Sequence, residues 1–231
     1  MSLATPTAVI TGASRGIGRA IAEDLSTTHK VYAGARSLDA LAWTEGTEIT
    51  PFVIDMADDD SVASAVDELG LGSLDVLVNN AGIANERPLE ELDRNAWREL
   101  FEVNVFGVAD LTRRLLPALR EARGIIVMMN SGSGLNSYAN GALYCGSKFA
   151  LKALGDAVRE EERPHGVRLT SIHPGFVATD MGYTLREQSN RPGGPETYAT
   201  PADIAAAVRL AVDTPPNAQT EVITVRPMQN A

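Results

Sequence analysis

Tyr144 and Lys148 stand four residues apart in the stretch Tyr144-Cys145-Gly146-Ser147-Lys148. On a helix this spacing puts both side chains on one face, one above the other. A phenol with its reference pKa of about 10 is a poor acid at neutral pH. A fixed ammonium a few ångström away favours the phenolate and lowers that pKa. Such a pair can give or take a proton. The spacing recurs by chance on many helices, so the surrounding chain has to supply the context. Cys145 points off the Tyr144 face at the next position, and reads as a small core or pocket-wall residue rather than a nucleophile.

The elements that must position such a pair begin near the N-terminus. Ala8-Val9-Ile10 reads as a buried strand. It runs into Thr11-Gly12-Ala13-Ser14-Arg15-Gly16-Ile17-Gly18 and then a helical pattern carrying Ile17, Ile21, Ala22 and Leu25. In a strand, glycine-rich turn and helix, the glycines let backbone approach a pyrophosphate seated at the helix N-terminus. The spacing Gly12, Gly16, Gly18 differs from the commonest G-x-G-x-x-G. The next strand spans Lys30 to Ala35 and lacks the terminal acid that holds adenosine ribose hydroxyls in NAD-preferring folds. Arg36 stands there instead, with Arg15 in the first turn. Both suit a 2′-phosphate, the bland alternative being two solvated surface arginines. NADP(H) is therefore the preferred cofactor, with NAD(H) also allowed.

A third strand over residues 48–54 closes on Asp55-Met56, where a carboxylate can meet an adenine amino group. Asp58-Asp59-Asp60 reads as N-terminal helix charge rather than a metal site. A fourth strand over residues 74–78 ends in Asn79-Asn80-Ala81-Gly82, which suits a strand exit that touches the cofactor. Residues 94–122 read as helical. Asn104 within them is either exposed or held for a purpose, and Pro117 requires a local kink or break. A fifth strand over residues 124–129 precedes Asn130-Ser131-Gly132-Ser133-Gly134, and the next helix bears Tyr144 and Lys148. Polar residues at the carboxyl ends of parallel strands face the ligand crevice.

Composition narrows the function classes. The 231 residues carry a formal charge of −10, which disfavours nucleic acid and anionic membrane and leaves any anionic ligand to local donors. The single cysteine excludes an intrachain disulfide and fits a reducing, cytoplasmic setting. His29, His165 and His173 lack zinc-ligand spacing, so no metal is expected. Neither a signal peptide nor a membrane span is evident. Length favours one domain over residues 1–231.

On these residues the chain resembles the classical short-chain dehydrogenase/reductase family. The segment from Thr11 to Gly18 is similar to its cofactor motif and Asn79-Asn80-Ala81-Gly82 to its strand-four motif. Asn104, Ser131, Tyr144 and Lys148 fall at its catalytic tetrad, and the likeness continues through Pro174-Gly175 and Thr179 over nearly the whole chain. The resemblance implies an α/β, Rossmann-like doubly wound fold with a seven-stranded parallel sheet in the order 3-2-1-4-5-6-7. It implies a ketone or aldehyde interconverted with an alcohol. Tyr144 would be the acid/base, and Lys148 would tune it and bond the nicotinamide ribose. Ser131, with Ser133 as the nearby alternative, would orient the substrate oxygen, and Asn104 would hold a relay water. Ser14 and Ile17 belong to the cofactor motif. Val177 and Thr179 occupy positions that bind the nicotinamide carboxamide, and His173 beside them reads as structural. The family's helix pair, around residues 97–120 and 142–162, implies a homodimer or homotetramer.

The C-terminal third departs most from that pattern. The substrate-covering loop of residues 182–200 is short, polar and turn-rich, with Arg186, Gln188, Asn190, Arg191, Pro192, Gly193, Gly194, Pro195 and Tyr198. It suits a mobile lid over a small or polar substrate, and Arg186 or Arg191 is available to a carboxylate or phosphate. A strand over residues 221–225 precedes Arg226-Pro227-Met228, where many members carry a glycine-rich segment, and this puts the tetramer in doubt. Other readings are an NAD(H)-dependent alcohol dehydrogenase, a non-enzymatic nucleotide-sensing scaffold, and an epimerase or dehydratase variant.

Overall fold

The computed structural model describes residues 5–189 and 195–228. The calls on Asn190, Arg191, Pro192, Gly193 and Gly194 lie outside the described residues. Seven strands form one parallel sheet in the order β3-β2-β1-β4-β5-β6-β7. They are β1 (Thr7–Thr11), β2 (Lys30–Ala35), β3 (Thr50–Val53), β4 (Val76–Asn79), β5 (Ile125–Met129), β6 (Arg168–Pro174) and β7 (Val222–Val225). The expected order is therefore correct, with ends shifted by a few residues. β6 extends through His173 and Pro174, and β3 begins at Thr50.

Successive strand residues point to opposite faces, which divides the core in two. Ile10, Ala33, Val78 and Val127 face one layer with Ile21, Leu25, Ile204 and Val208, supplied by α1 (Gly16–Leu25) and α7 (Pro201–Asp213). Val9, Leu77, Ile126 and Met128 face the other with Val62, Leu111, Leu115 and Leu151, supplied by α2 (Asp59–Leu69), α4 (Gly107–Ala122) and α5 (Ala142–Glu162). Each fully buried Ile or Leu contributes about 1.5–3 kcal/mol relative to exposure. Arg209 ties α7 to α1 by an ion pair to Asp24 at 2.8 Å.

Local chemistry sets the helix starts. The Asp58 carboxylate accepts the N–H groups of Asp60 and Ser61 and caps α2, with Asp59 and Asp60 in the first turn. That is the job of the acidic run. Thr200 and Asp203 form a capping box around Pro201 at the start of α7.

Two expectations need correction. Residues 94–122 are not one helix. α3 (Arg94–Phe101) passes into a π-helical segment, Glu102–Phe106, before α4 begins. The discontinuity lies at Asn104, whereas Pro117 sits inside α4 without ending it. The substrate-covering region is not a turn-rich loop at its start. Residues Asp180–Ser189 form a helix, α6. Tyr183 and Phe176 both stack on Tyr198, at 5.7 and 5.5 Å between ring centroids, giving this polar helix an aromatic anchor that apolar periodicity does not reveal. Beneath it, Ala178 N–H donates to Ala199 O at 2.8 Å, and Ala199 N–H to Phe176 O at 3.1 Å.

Candidate active site

A cleft of about 1590 Å³ runs along the carboxyl ends of β1, β2, β4, β5 and β6. Gly12, Ser14, Arg15, Gly16, Ile17 and Gly18 line one end of it, beside Arg36, Asp55 and Met56. Asn80, Ala81 and Gly82 form the middle, and Ser131, Tyr144, Lys148, Pro174, Gly175, Val177 and Thr179 line the remainder. Asn104 lies just behind the wall. The fold thus brings the cofactor-motif candidates and Ser131, Tyr144 and Lys148 to one crevice, with Asn104 behind it.

The glycine loop is built for close approach. Gly12 adopts φ +65°, and a Cβ there would lie 2.8 Å from Ala81 Cα. A Cβ on Gly18 would lie 2.2 Å from Gly12 O. The first turn of α1 has no side-chain cap and no acidic residue, so its free N–H groups face the cleft as an anion site. Asn80 braces this loop, its amide donating to Thr11 O at 3.0 Å and Gly12 O at 3.1 Å. The uncapped helix, the sterically closed glycine positions and the length of the cleft fit a dinucleotide. At the adenosine end, Arg36 follows directly on β2. Arg15 forms an ion pair with Asp180 at 3.0 Å, both side chains being well exposed.

At the other end, Ser131 stands close enough to Tyr144 for its side chain to favour the phenolate, while its hydroxyl donates to Ser133 Oγ at 3.3 Å. Ser131 caps a short turn, its Oγ accepting Ser133 N–H at 3.1 Å. Ser133 turns elsewhere: its hydroxyl pairs with Tyr138 Oη at 2.8 Å, and Tyr138 in turn donates to the Glu86 carboxylate. Of the two candidate serines, Ser131 is the one that acts on the Tyr144 phenol, while Ser133 is engaged with Tyr138. Asn130 links the two halves of the site, because its Nδ2 donates to Lys148 O at 3.1 Å while its Oδ1 accepts Ser131 N–H at 2.8 Å. His173 holds Ser131 from below, Nδ1–H donating to Ser131 O at 2.9 Å, a structural role for a fully buried ring. Lys148 Nζ donates to Met129 O at 3.1 Å and lies 5.9 Å from the Tyr144 ring centroid.

Asn104 is 1% exposed and held for a purpose. Its Oδ1 accepts Ile83 N–H at 2.9 Å, and its Nδ2 donates to Ile83 O at 2.9 Å and to Ser147 Oγ at 3.1 Å. Ser147 passes the link on to Tyr144 O at 2.9 Å. The π-helical segment, the β4 exit and α5 are tied at this one amide.

The expected direction of the Tyr144 pKa is wrong in this arrangement. Burial pushes the phenol up to about 12, with the Ser131 hydrogen bond opposing that rise. Burial also brings Lys148 down to about 8. The spacing puts the two on one face, but desolvation is the largest influence on each, raising the phenol and lowering the ammonium. Burial likewise raises the Cys145 thiol, as befits an inert wall residue.

The cleft is also lined by Glu86, Tyr138 and Arg226, to which the sequence reading gave no role. Glu86 and Tyr138 carry no spacing signal. Arg226 carries one, its place directly after the last strand of a parallel sheet. Arg186 does not line the cleft. It is buried, its guanidinium 5.1 Å from the Tyr198 ring centroid and 5.8 Å from that of Phe176.

A doubly wound parallel sheet with an uncapped glycine-loop helix and a serine-tyrosine-lysine cluster defines a nicotinamide-dinucleotide oxidoreductase type of site. The chain belongs to the short-chain dehydrogenase family, whose model matches residues 6–190. It is 30% identical to an uncharacterized oxidoreductase of Staphylococcus saprophyticus, over 95% of this chain and 94% of that one. Among solved structures, it is similar to an alcohol dehydrogenase of the archaeon Thermococcus sibiricus complexed with 5-hydroxy-NADP. That match has a TM-score of 0.85 and 32% identity over 98% of each chain. A metagenomic short-chain oxidoreductase in complex with NADP superposes with a TM-score of 0.82 and 32% identity, over 100% of each chain.

Proposed function

We propose that the protein is an NADP(H)-dependent reductase that converts a ketone or aldehyde to an alcohol. The observation that carries this reading is the buried, neutral Tyr144 phenol with Lys148 Nζ 5.9 Å from its ring centroid and Ser131 lining the same cleft. A phenol held at about 12 keeps its proton at every physiological pH, which is the form an acid needs. The Gly12 loop and the α1 N-terminus would hold the pyrophosphate, Asn80 would brace that loop, and Val177 and Thr179 would meet the nicotinamide. The bound cofactor supplies hydride to the carbonyl carbon. Ser131 orients the carbonyl oxygen, Tyr144 gives that oxygen its proton, and Lys148 stabilises the phenolate left behind.

Reprotonation of Tyr144 is assigned to a water held by Asn104 and Lys148. A side chain beginning at Gly82 would start 3.3 Å from Asn104 Oδ1 and 3.7 Å from Lys148 Nζ, so both atoms border one small space. NADP(H) over NAD(H) rests on Arg36 and Arg15 with no acid at the end of β2. The exposed Arg15–Asp180 pair is worth about 0–1 kcal/mol and opens readily to a 2′-phosphate. Fluorescence titration should give tighter binding of NADPH than NADH by tenfold or more, a gap that Arg36→Ala narrows. Tighter NADH binding overturns the cofactor assignment.

A further inference from the structure

We infer that Arg226 is the anchor for a substrate carboxylate, so that the compounds reduced are short oxo acids. This rests on the reductase reading above and names its substrate class. β7 pairs in parallel with β6, Pro174 opposite Val225, and Gly175 N–H donates to Val225 O at 2.8 Å. Arg226 therefore leaves the carboxyl end of the sheet beside the Pro174-Gly175 turn and enters the cleft wall. Its guanidinium fills the space in front of Gly132, where a Cβ would lie 2.4 Å from Nη1 and 2.9 Å from Nη2. The absence of a side chain at Gly132 leaves that room without displacing the exposed Arg226 side chain, and Gly132 is the immediate neighbour of Ser131. A planar fork of N–H donors thus stands one residue from the hydroxyl that orients the reacting oxygen.

Among the described residues Arg226 makes no hydrogen bond and no ion pair. Near the reaction centre the other cleft cation, Lys148, already bonds Met129 O. A chain with a formal charge of −10 repels anions in general, so an anionic substrate requires a dedicated cation inside the cleft. Arg matches a carboxylate bidentately. Consecutive Cα atoms are about 3.8 Å apart, so the closeness of Gly132 to Ser131 limits the spacer. That closeness favours a short spacer between carboxylate and carbonyl, as in 2-oxo and 3-oxo acids.

The test compares a four-carbon 3-oxo acid with its methyl ester, using NADPH and the wild-type, Arg226→Gln and Arg226→Lys proteins. A charge-assisted hydrogen bond predicts a kcat/KM about tenfold to a hundredfold higher for the acid than for the ester. Arg226→Gln removes that advantage through KM, while turnover of the ester and the NADPH dissociation constant stay unchanged. Arg226→Lys restores part of it. Equal turnover of acid and ester by the wild type overturns the inference and leaves the reductase reading standing. A tenfold weaker NADPH affinity in Arg226→Gln also overturns it, because Arg226 would then serve the cofactor. If neither compound turns over, calorimetry of the acid on the NADP-loaded protein decides. Binding lost in Arg226→Gln supports the anchor apart from the reductase reading, and no binding rules it out.

Discussion

At Tyr144 and Lys148, side-chain spacing and burial make opposite demands. The i, i+4 spacing puts the two groups on one face, and the resemblance implies roles for them. Neither shows that α5 buries both groups, with the Tyr144 phenol raised to about 12 and the Lys148 ammonium lowered to about 8. The consequence is a pH dependence with a definite sign. Tyr144 stays protonated throughout the working range, whereas Lys148 loses its charge as pH rises through about 8. The phenolate formed on proton transfer then lacks its counter-charge. The kcat for carbonyl reduction should therefore be flat below about 8 and fall above it. A profile that instead rises through this region would show that deprotonation of Tyr144 limits the reaction. Stability moves the other way at this site. Between about pH 8 and 10.5 the unfolded Lys148 holds more protons than the folded one, so its contribution to stability grows with pH across that window.

At the scale of elements, the sheet and most helices were legible because their periodicity is strong and their caps are local. The dense apolar runs of β1, β4 and β5 and the Asp58 cap need no distant partner to be recognised. The two misread segments are those fixed by tertiary contacts. Residues 94–122 have continuous helical periodicity. The π-helical Glu102–Phe106 instead coincides with the Asn104 amide bonded to Ile83 and Ser147. The alternative open from sequence, an Asn either exposed or held, is settled by those three hydrogen bonds. Replacing Asn104 with Ala leaves the Ile83 N–H and carbonyl without these partners, at a cost of about 1–3 kcal/mol for each buried group. Urea unfolding should show a loss of about 2–4 kcal/mol at unchanged m-value, with activity lost as well. A variant as stable as the parent would mean that the amide is not the tie between β4, the π-helical segment and α5. α6 escaped notice for a related reason. Its sequence is polar, and its support comes from Tyr198, nine residues beyond its end.

At the scale of the molecule, Phe106 and Phe149 are 52% and 43% exposed. They lie on the α3–α5 side, where Trp97, Phe101 and Phe106 form a ladder with centroids 6.0 and 6.2 Å apart. We propose that this face pairs with a second copy of the chain. Phe149→Asp should shift the sedimentation coefficient to that of a monomer, and a wild-type protein that already sediments as a monomer contradicts the assignment. The sheet order was legible in the sequence, and Ser131, Tyr144, Lys148 and the glycine loop named from it line one cleft. The Arg226 position was visible there only as a departure from the family's glycine-rich ending, since the meeting of β7 with Gly132 is set by sheet topology. The central claim is that Tyr144 delivers a proton while the cofactor delivers hydride. Its most direct measurement follows deuterium from NADPH labelled at C4 into the alcohol, for the wild type and Tyr144→Phe across a carbonyl panel. The wild type should transfer the label, and Tyr144→Phe should do so about 10²–10⁴-fold more slowly with NADPH affinity intact. Undiminished transfer by Tyr144→Phe, or no transfer by the wild type to any carbonyl, would contradict it.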